Sequence, residues 1–313
     1  MTSRFHHVPV MADLVVELFG PVPPGIVVDA TLGGAGHARL LLESRPDVQL
    51  LGIDQDAEAL AAAAEVLAPF GDRVTLHHSR FDRLDAIMSE LKVDSVSGVL
   101  FDLGVSSPQL DVPDRGFSYR ESGPLDMRMD RGQTWAAADV VNGYRETELA
   151  RVLREYGDER FADRVARAIV ANRPIESTSD LAEIVRDAIP APARRRGGHP
   201  AKRTFQAIRI AVNRELDILP DALDDAIEHT APGGRVVVLS YHSGEDRIVK
   251  QRFRQHATGG CTCPPGLPCV CDAVQTVRLL RSSSWKPSQA EVEANPRAGS
   301  ARLRAVEKLA VNT

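Results

Sequence analysis

Three aspartates, a glycine run and a histidine are spaced so that together they can hold a charged ligand. Asp29 opens the stretch Asp29-Ala-Thr-Leu-Gly-Gly-Ala-Gly-His37, Asp54 stands eighteen residues after Gly36, and Asp102 opens Asp102-Leu-Gly-Val-Ser-Ser-Pro-Gln-Leu-Asp111. Glycine serves where the backbone turns tightly with positive φ and where a ligand comes too close for a Cβ. A carboxylate at the position of Asp54, closing the apolar run Leu50 to Ile53, is where nucleotide-binding α/β units hold ribose hydroxyls. A dinucleotide fingerprint needs a further glycine five positions after Gly34, and Arg39 stands there instead. An acid closing the first strand and then Gly-x-Gly points to S-adenosylmethionine (SAM), which carries a cation and no pyrophosphate. The competing structural reading, a plain strand-to-helix turn, loses ground once Asp54 is counted.

The elements that position these residues alternate. Apolar runs at Gly25 to Val28, Leu50 to Ile53, Val74 to His77 and Val96 to Phe101 read as strands, and helical patterns lie between them. Asp56 is placed to cap the alanine-rich helix that runs to Leu67. Such alternation gives a parallel α/β sheet of Rossmann-like type. Its ligands sit beyond the carboxyl ends of the strands, where Gly33 to His37, Asp54, Phe81 and Asp102 all fall. From Val112 to about Arg203 the strands stop, and apolar stripes at helical spacing take over, with Phe161, Val165, Ala168 and Ile169 as one and Leu181, Ile184, Val185 and Ala188 as another. A long helix is expected from near Thr204, with Phe205, Ile208, Val212, Leu216 and Leu219 on one stripe, before Val236 to Leu239 restores the sheet. The expected organisation is a core of residues 1–111 and 204–313 around a helical insertion, 112–203.

The 313 residues carry a formal net charge of −5, so no global positive field marks a nucleic-acid binder and basic residues count only locally. Arg194, Arg195, Arg196, Lys202, Arg203, Arg209 and Arg214 form one cluster; Arg278, Arg281, Lys286, Arg297, Arg302 and Arg304 form a second near the C-terminus. Each reads as a phosphate-facing surface or as an ordinary solvated face. Pro9, Asp13 and Glu17 interrupt the N-terminal apolar pattern, which therefore resembles neither a signal peptide nor a membrane span; a cytoplasmic protein with no membrane partner is expected.

Taken together, Asp102 to Asp111, Leu125-Asp-Met-Arg-Met-Asp130, His199-Pro-Ala-Lys-Arg-Thr-Phe-Gln-Ala-Ile-Arg-Ile-Ala-Val-Asn-Arg-Glu-Leu216, His242-Ser-Gly-Glu-Asp-Arg-Ile-Val-Lys250 and Asn295-Pro-Arg297 resemble the bacterial 16S ribosomal RNA cytosine-N4 methyltransferase family, from His7 to the last strand. The resemblance implies a class I SAM-dependent methyltransferase that methylates the exocyclic amine of one cytosine at the decoding centre. Its partner would be 16S rRNA within the small subunit, with no DNA expected. By motif it places the cofactor against Ala35, Gly36, His37, Asp54, Phe81, Asp102 and Gln109. Asp54 suits the ribose, Phe81 the adenine or else the core, and Asp102 the methionine moiety or the target amine. His242 and Asp246, after a strand beside the cofactor strands, are placed to meet the base, while His37 reads equally as a cap or packing residue. Arg195, Arg196, Lys202, Arg203 and Arg209 are the expected RNA contacts.

Two rival readings stay open on the sequence: a SAM methyltransferase of a protein or small-molecule amine, and a SAM-binding ribosome-assembly factor. Two positions depart from the family pattern. Ala35 stands where glycine is frequent and is expected to require a negative φ, and Gly244 stands where leucine is usual. All four cysteines, Cys261, Cys263, Cys269 and Cys271, lie in one stretch outside that pattern. Two Cys-x-Cys pairs across a proline-glycine turn suit a tetrathiolate Zn²⁺, against reduced thiols or a redox-dependent disulfide.

Overall fold

The computed structural model describes residues 9–194, 198–263 and 270–310. Arg195, Arg196 and Cys269 lie outside the described residues. The chain forms two compact units, one of residues 1–104 and 218–313, the other Val105–Asp217.

The first unit begins with α1 (Ala12–Phe19) and then alternates β1 (Gly25–Asp29), α2 (Gly36–Ser44), β2 (Val48–Asp54), α3 (Ala57–Leu67), β3 (Val74–His78), α4 (Leu84–Leu91) and β4 (Val96–Asp102). Asp56 caps α3, its side chain accepting the Glu58 N–H as expected. In the second unit follow α5 (Ser107–Asp111), α6 (Ala137–Gly143), α7 (Glu146–Gly157), α8 (Ala162–Ala171), α9 (Thr178–Ala188), α10 (Ala191–Arg194) and α11 (Lys202–Asn213). The chain returns through α12 (Glu215–His229), β5 (Thr230–Ser240), α13 (Ser243–Thr258), β6 (Val277–Leu279), α14 (Gln289–Ala294) and β7 (Arg302–Lys308).

The seven strands form one sheet in the order β3-β2-β1-β4-β5-β7-β6, with β7 antiparallel to both its neighbours and the others parallel. Side chains alternate between its two faces, as a period of two requires. Val28, Phe101 and Val238 enter one apolar cluster with Leu84, Leu223 and Phe253, while Val27, Leu100 and Val237 enter another with Val15, Phe19 and Leu303. Helices therefore cover both faces, and the strand ends are left for function. The Pro232-Gly233-Gly234 segment is a bulge within β5, where the register with β4 shifts between Val96 and Gly98.

The second unit has its own core, drawn from α6 to α9 and α11, with Leu149, Val165, Ile169, Leu181, Val185, Phe205 and Ile208 buried. The single long helix expected from Thr204 is two helices. Arg214 adopts a left-handed conformation (φ 55°) and separates α11 from α12. Among the described residues no helix is long and apolar enough to cross a membrane.

Candidate active site

At the end of β1, Asp29 is only 2 % exposed. Burial pushes its carboxyl up to about 7; the nearby His37 and the Thr31 N–H, which donates to Oδ1 at 3.2 Å, oppose the rise, and Asp102 and Asp54 add to it. At the end of β2, Asp54 accepts the Gly33 N–H on Oδ2 and the Asp56 N–H on Oδ1, both at 2.8 Å. Burial raises its pKa also, against the pull of these N–H groups. One carboxylate thus ties the glycine turn to the neighbouring strand.

The turn corrects the expectation for Ala35. Its φ is +60°, left-handed, at a cost of roughly 1–2 kcal/mol for a residue with a Cβ. Full burial of its methyl in a cluster with Leu32, Ala38 and Leu42 works against that cost. Space at Gly36 is tight, since an added Cβ would lie 3.1 Å from the Pro9 ring.

At the end of β4, the Asp102 N–H donates to Thr31 Oγ1 at 2.6 Å. Its Oδ1 accepts the Tyr241 hydroxyl at 2.7 Å, and its Oδ2 lies 3.5 Å from His37 Nε2, too far for a good hydrogen bond. Tyr241, which directly follows β5, is held well above the usual phenol range, first by burial and then by the Asp102 charge, so it remains a donor. His37 is buried, and both its ring nitrogens are without a hydrogen-bond partner. Such groups are rare in folded proteins because each costs about 1–3 kcal/mol. A cationic ligand with hydrogen-bonding groups fits this setting. The glycine turn leaves open space at Gly34, Asp29 is poised to ionise beside a positive charge, and Asp102 is 27 % exposed with one oxygen pinned.

Other expected site residues make contacts within the chain. His242 is the cap of α13, its Nδ1 accepting from the Gly244 and Glu245 N–H groups at 3.2 and 3.5 Å. Glu245 answers by accepting the Tyr241 and His242 N–H groups on Oε2 at 2.7 and 3.2 Å. Asp246 receives Nε and Nη2 of Arg304 at 2.7 and 3.1 Å. In the chain itself His242 is thus a helix cap and Asp246 an ion-pair partner. Phe81 is 8 % exposed and packs edge-on against Phe101, with ring centroids 5.8 Å apart, as a core aromatic. Gln109 belongs to the second unit, where its Oε1 accepts the Ser106 N–H at 3.0 Å in the capping box of α5. Thr31 and Tyr241 were not singled out from sequence. Tyr241 stands two residues after the apolar run Val236 to Leu239, one position beyond the signal that marks Asp54 and Asp102.

In the second unit the Arg209 guanidinium meets Glu215 with two prongs of 2.8 Å. Asn213 Oδ1 accepts the Met129 N–H at 2.9 Å, and its Nδ2 donates to the Met127 carbonyl at 2.8 Å, which fixes the Leu125 to Asp130 motif on α11. Lys202 and Arg203 are exposed in the first turn of α11, which holds no acid. Cations there oppose the helix dipole. Nearby, the exposed His199 ring stacks on Tyr119 at 4.5 Å, with the Arg120 guanidinium over the same Tyr119 ring. Burial, then Arg120, lowers the His199 pKa.

A family model described as the MraW methylase family matches residues 4–309. The ribosomal RNA small subunit methyltransferase H of Symbiobacterium thermophilum is 52 % identical over 310 residues, covering 97 % of each chain. Its namesake in Acidothermus cellulolyticus is 56 % identical over 310 residues, 97 % of this chain and 94 % of its own. Among solved structures, an rRNA methylase from Streptococcus thermophilus aligns over 96 % of this chain and 94 % of its own, at 12 % identity and a TM-score of 0.42.

Proposed function

The chain belongs to the MraW methylase family, and from that premise we propose that it transfers the methyl group of SAM to the N4 amine of one cytosine in 16S rRNA, at the decoding centre of the small subunit. The observation that carries the reading is the set of buried and half-buried groups at the strand ends: Asp29 held near neutrality, His37 with two unpartnered nitrogens, and Asp102 oriented by Tyr241.

When bound, SAM supplies a methyl group already activated on a sulfonium. The protein therefore has mainly to hold and orient, and proximity accounts for much of the rate. Asp54 is the residue for the ribose hydroxyls, the Gly33 to Gly36 turn for close backbone approach, and Asp29 for the positive end of the cofactor. The lone pair of an exocyclic base amine is conjugated into the ring and poorly nucleophilic. A carboxylate that accepts the amine N–H bonds helps free that lone pair, and the half-buried Asp102 is the carboxylate for that task, with Tyr241 fixing its plane.

The cytosine has to leave its stack, which costs roughly a few kcal/mol that contacts elsewhere must offset. Lys202 and Arg203 on α11 suit phosphates, and the Tyr119 and His199 stack with Arg120 suits an unstacked base. A ribosomal substrate means that the protein works in the cytoplasm. Methyl transfer from labelled SAM to small subunits lacking the mark, with free cytidine, small amines and ribosomal proteins as competitors, tests the proposal. Label is expected in 16S rRNA; label in protein or in the small amines instead would remove it.

A further inference from the structure

After α13 the chain departs and comes back to the same helix end. On the outgoing leg the Gly260 N–H donates to the Gln255 carbonyl at 2.9 Å and the Cys261 N–H to the Thr258 carbonyl at 3.1 Å. On the return leg the Thr276 N–H donates to the His256 carbonyl at 3.1 Å. The legs cross at Gly259, where φ is +61° and an added Cβ would lie 2.6 Å from the Val274 backbone. Beyond that crossing the described residues supply no apolar anchor: none of the four buried clusters includes a described residue between 259 and 276, and Val270 and Val274 are 84 % and 59 % exposed.

What the described loop does gather is sulfur. Cys261 and Cys263 on the outgoing leg and Cys271 on the return leg place their Sγ atoms within 4.8 Å of one another. In a tetrahedral thiolate site with Zn–S near 2.3 Å, sulfurs are separated by about 3.8 Å, so the three are already assembled to within roughly 1 Å of ligand geometry. Thiolates select zinc over the hard cations magnesium and calcium, which take oxygen ligands.

We propose that Cys261, Cys263 and Cys271 bind a Zn²⁺ ion that closes the loop between α13 and β6. Each thiol gives up its proton to solvent as its sulfur binds, and no electron is transferred. The ion does the work an apolar core does elsewhere, as in small domains that lack one. The role is structural. α13 has His242 as its cap at one end and the thiols after the other, and its sixteen residues span about 24 Å, too far for the metal to meet Asp102 chemistry.

The test is metal analysis of the full-length protein purified under reducing conditions without chelator, then of the same protein refilled with Co²⁺. About one zinc per chain is expected, with a cobalt spectrum showing thiolate charge-transfer bands and tetrahedral d–d bands. Cys261→Ser and Cys271→Ser should each lose sub-micromolar zinc binding while retaining SAM affinity. Should either variant fail to fold, chelator removal of zinc from the wild-type protein, followed by proteolysis, replaces it, and faster cleavage within 259–276 is the expected result. Absence of metal even after zinc is added back, retention of metal by both serine variants, or a disulfide among these thiols in the purified protein would each overturn the proposal.

Discussion

A carboxyl group pushed up to about 7 by burial keeps its proton in the ligand-free protein through most of the acidic range, and Asp29 is such a group. A cation arriving beside it favours the ionised form. SAM binding should therefore release a proton at about pH 6, and affinity should rise with pH until about 7 and then level off. Calorimetry in two buffers of different ionisation enthalpy measures the release; identical heats would remove Asp29 from the cofactor site. Stability moves the opposite way. The folded value lies above the unfolded one near 3.9, so the stability contribution is complete below about pH 3.9 and is lost as pH rises through 7. Asp29→Asn should accordingly be more stable than the wild type at about pH 8, by a few kcal/mol in urea melts, with the advantage gone at about pH 4. Tyr241→Phe frees the Asp102 carboxylate to rotate. Single-turnover methylation at saturating SAM should drop by about tenfold with SAM affinity unchanged, while an equal loss in both would make Tyr241 a cofactor residue. At this scale the strand-end rule made Asp54 and Asp102 legible from sequence. Applied to His242 and Asp246 it placed them toward the base, whereas the contacts they make are a helix cap and an ion pair, because capping, ion pairing and acid–base work draw on the same residue types.

Between α11 and α12 the apolar stripe Phe205, Ile208, Val212, Leu216 and Leu219 runs at unbroken helical spacing, so periodicity alone predicts one helix. The break at Arg214 is a tertiary effect: α11 packs into the core of the second unit, and Leu219, Leu223 and Ile227 of α12 pack on the sheet. It also explains the ion pair of Arg209. Residues six apart lie on different faces of a continuous helix, so the pair with Glu215 exists only because the helix stops between them. Asn213, the last residue before the break, holds the Met127 to Met129 backbone, and Asn213→Ala leaves buried donors and acceptors unmet. Chemical denaturation should show a loss of about 1–3 kcal/mol, whereas a change below about 0.5 kcal/mol would mean that the motif is held by its other contacts. The cysteine loop was legible as two Cys-x-Cys pairs that suit a metal, but spacing alone cannot say whether thiols on two legs meet.

For the whole molecule, a net charge of −5 means that RNA binding cannot rest on overall attraction and has to be local. Replacing Lys202, Arg203 and Arg120 by alanine should weaken small-subunit binding and make its salt dependence shallower, with SAM binding untouched. Arg209→Ala should instead lower stability with the slope preserved. Binding with the wild-type slope in the triple variant would shift the RNA contact to the second basic group, which includes Arg278, Arg281 and Arg302. The central claim is that the groups at the strand ends serve methylation of a cytosine amine of small-subunit rRNA. Nucleotide-resolved mass spectrometry of 16S rRNA, from cells lacking the chain and from the same cells supplied with wild-type or Asp102→Asn protein, reads that claim directly. One methyl group on the N4 of a decoding-centre cytosine should vanish in the deletion, return with the wild type, and stay absent or strongly reduced with Asp102→Asn; an rRNA methylation pattern identical in all three would contradict the account.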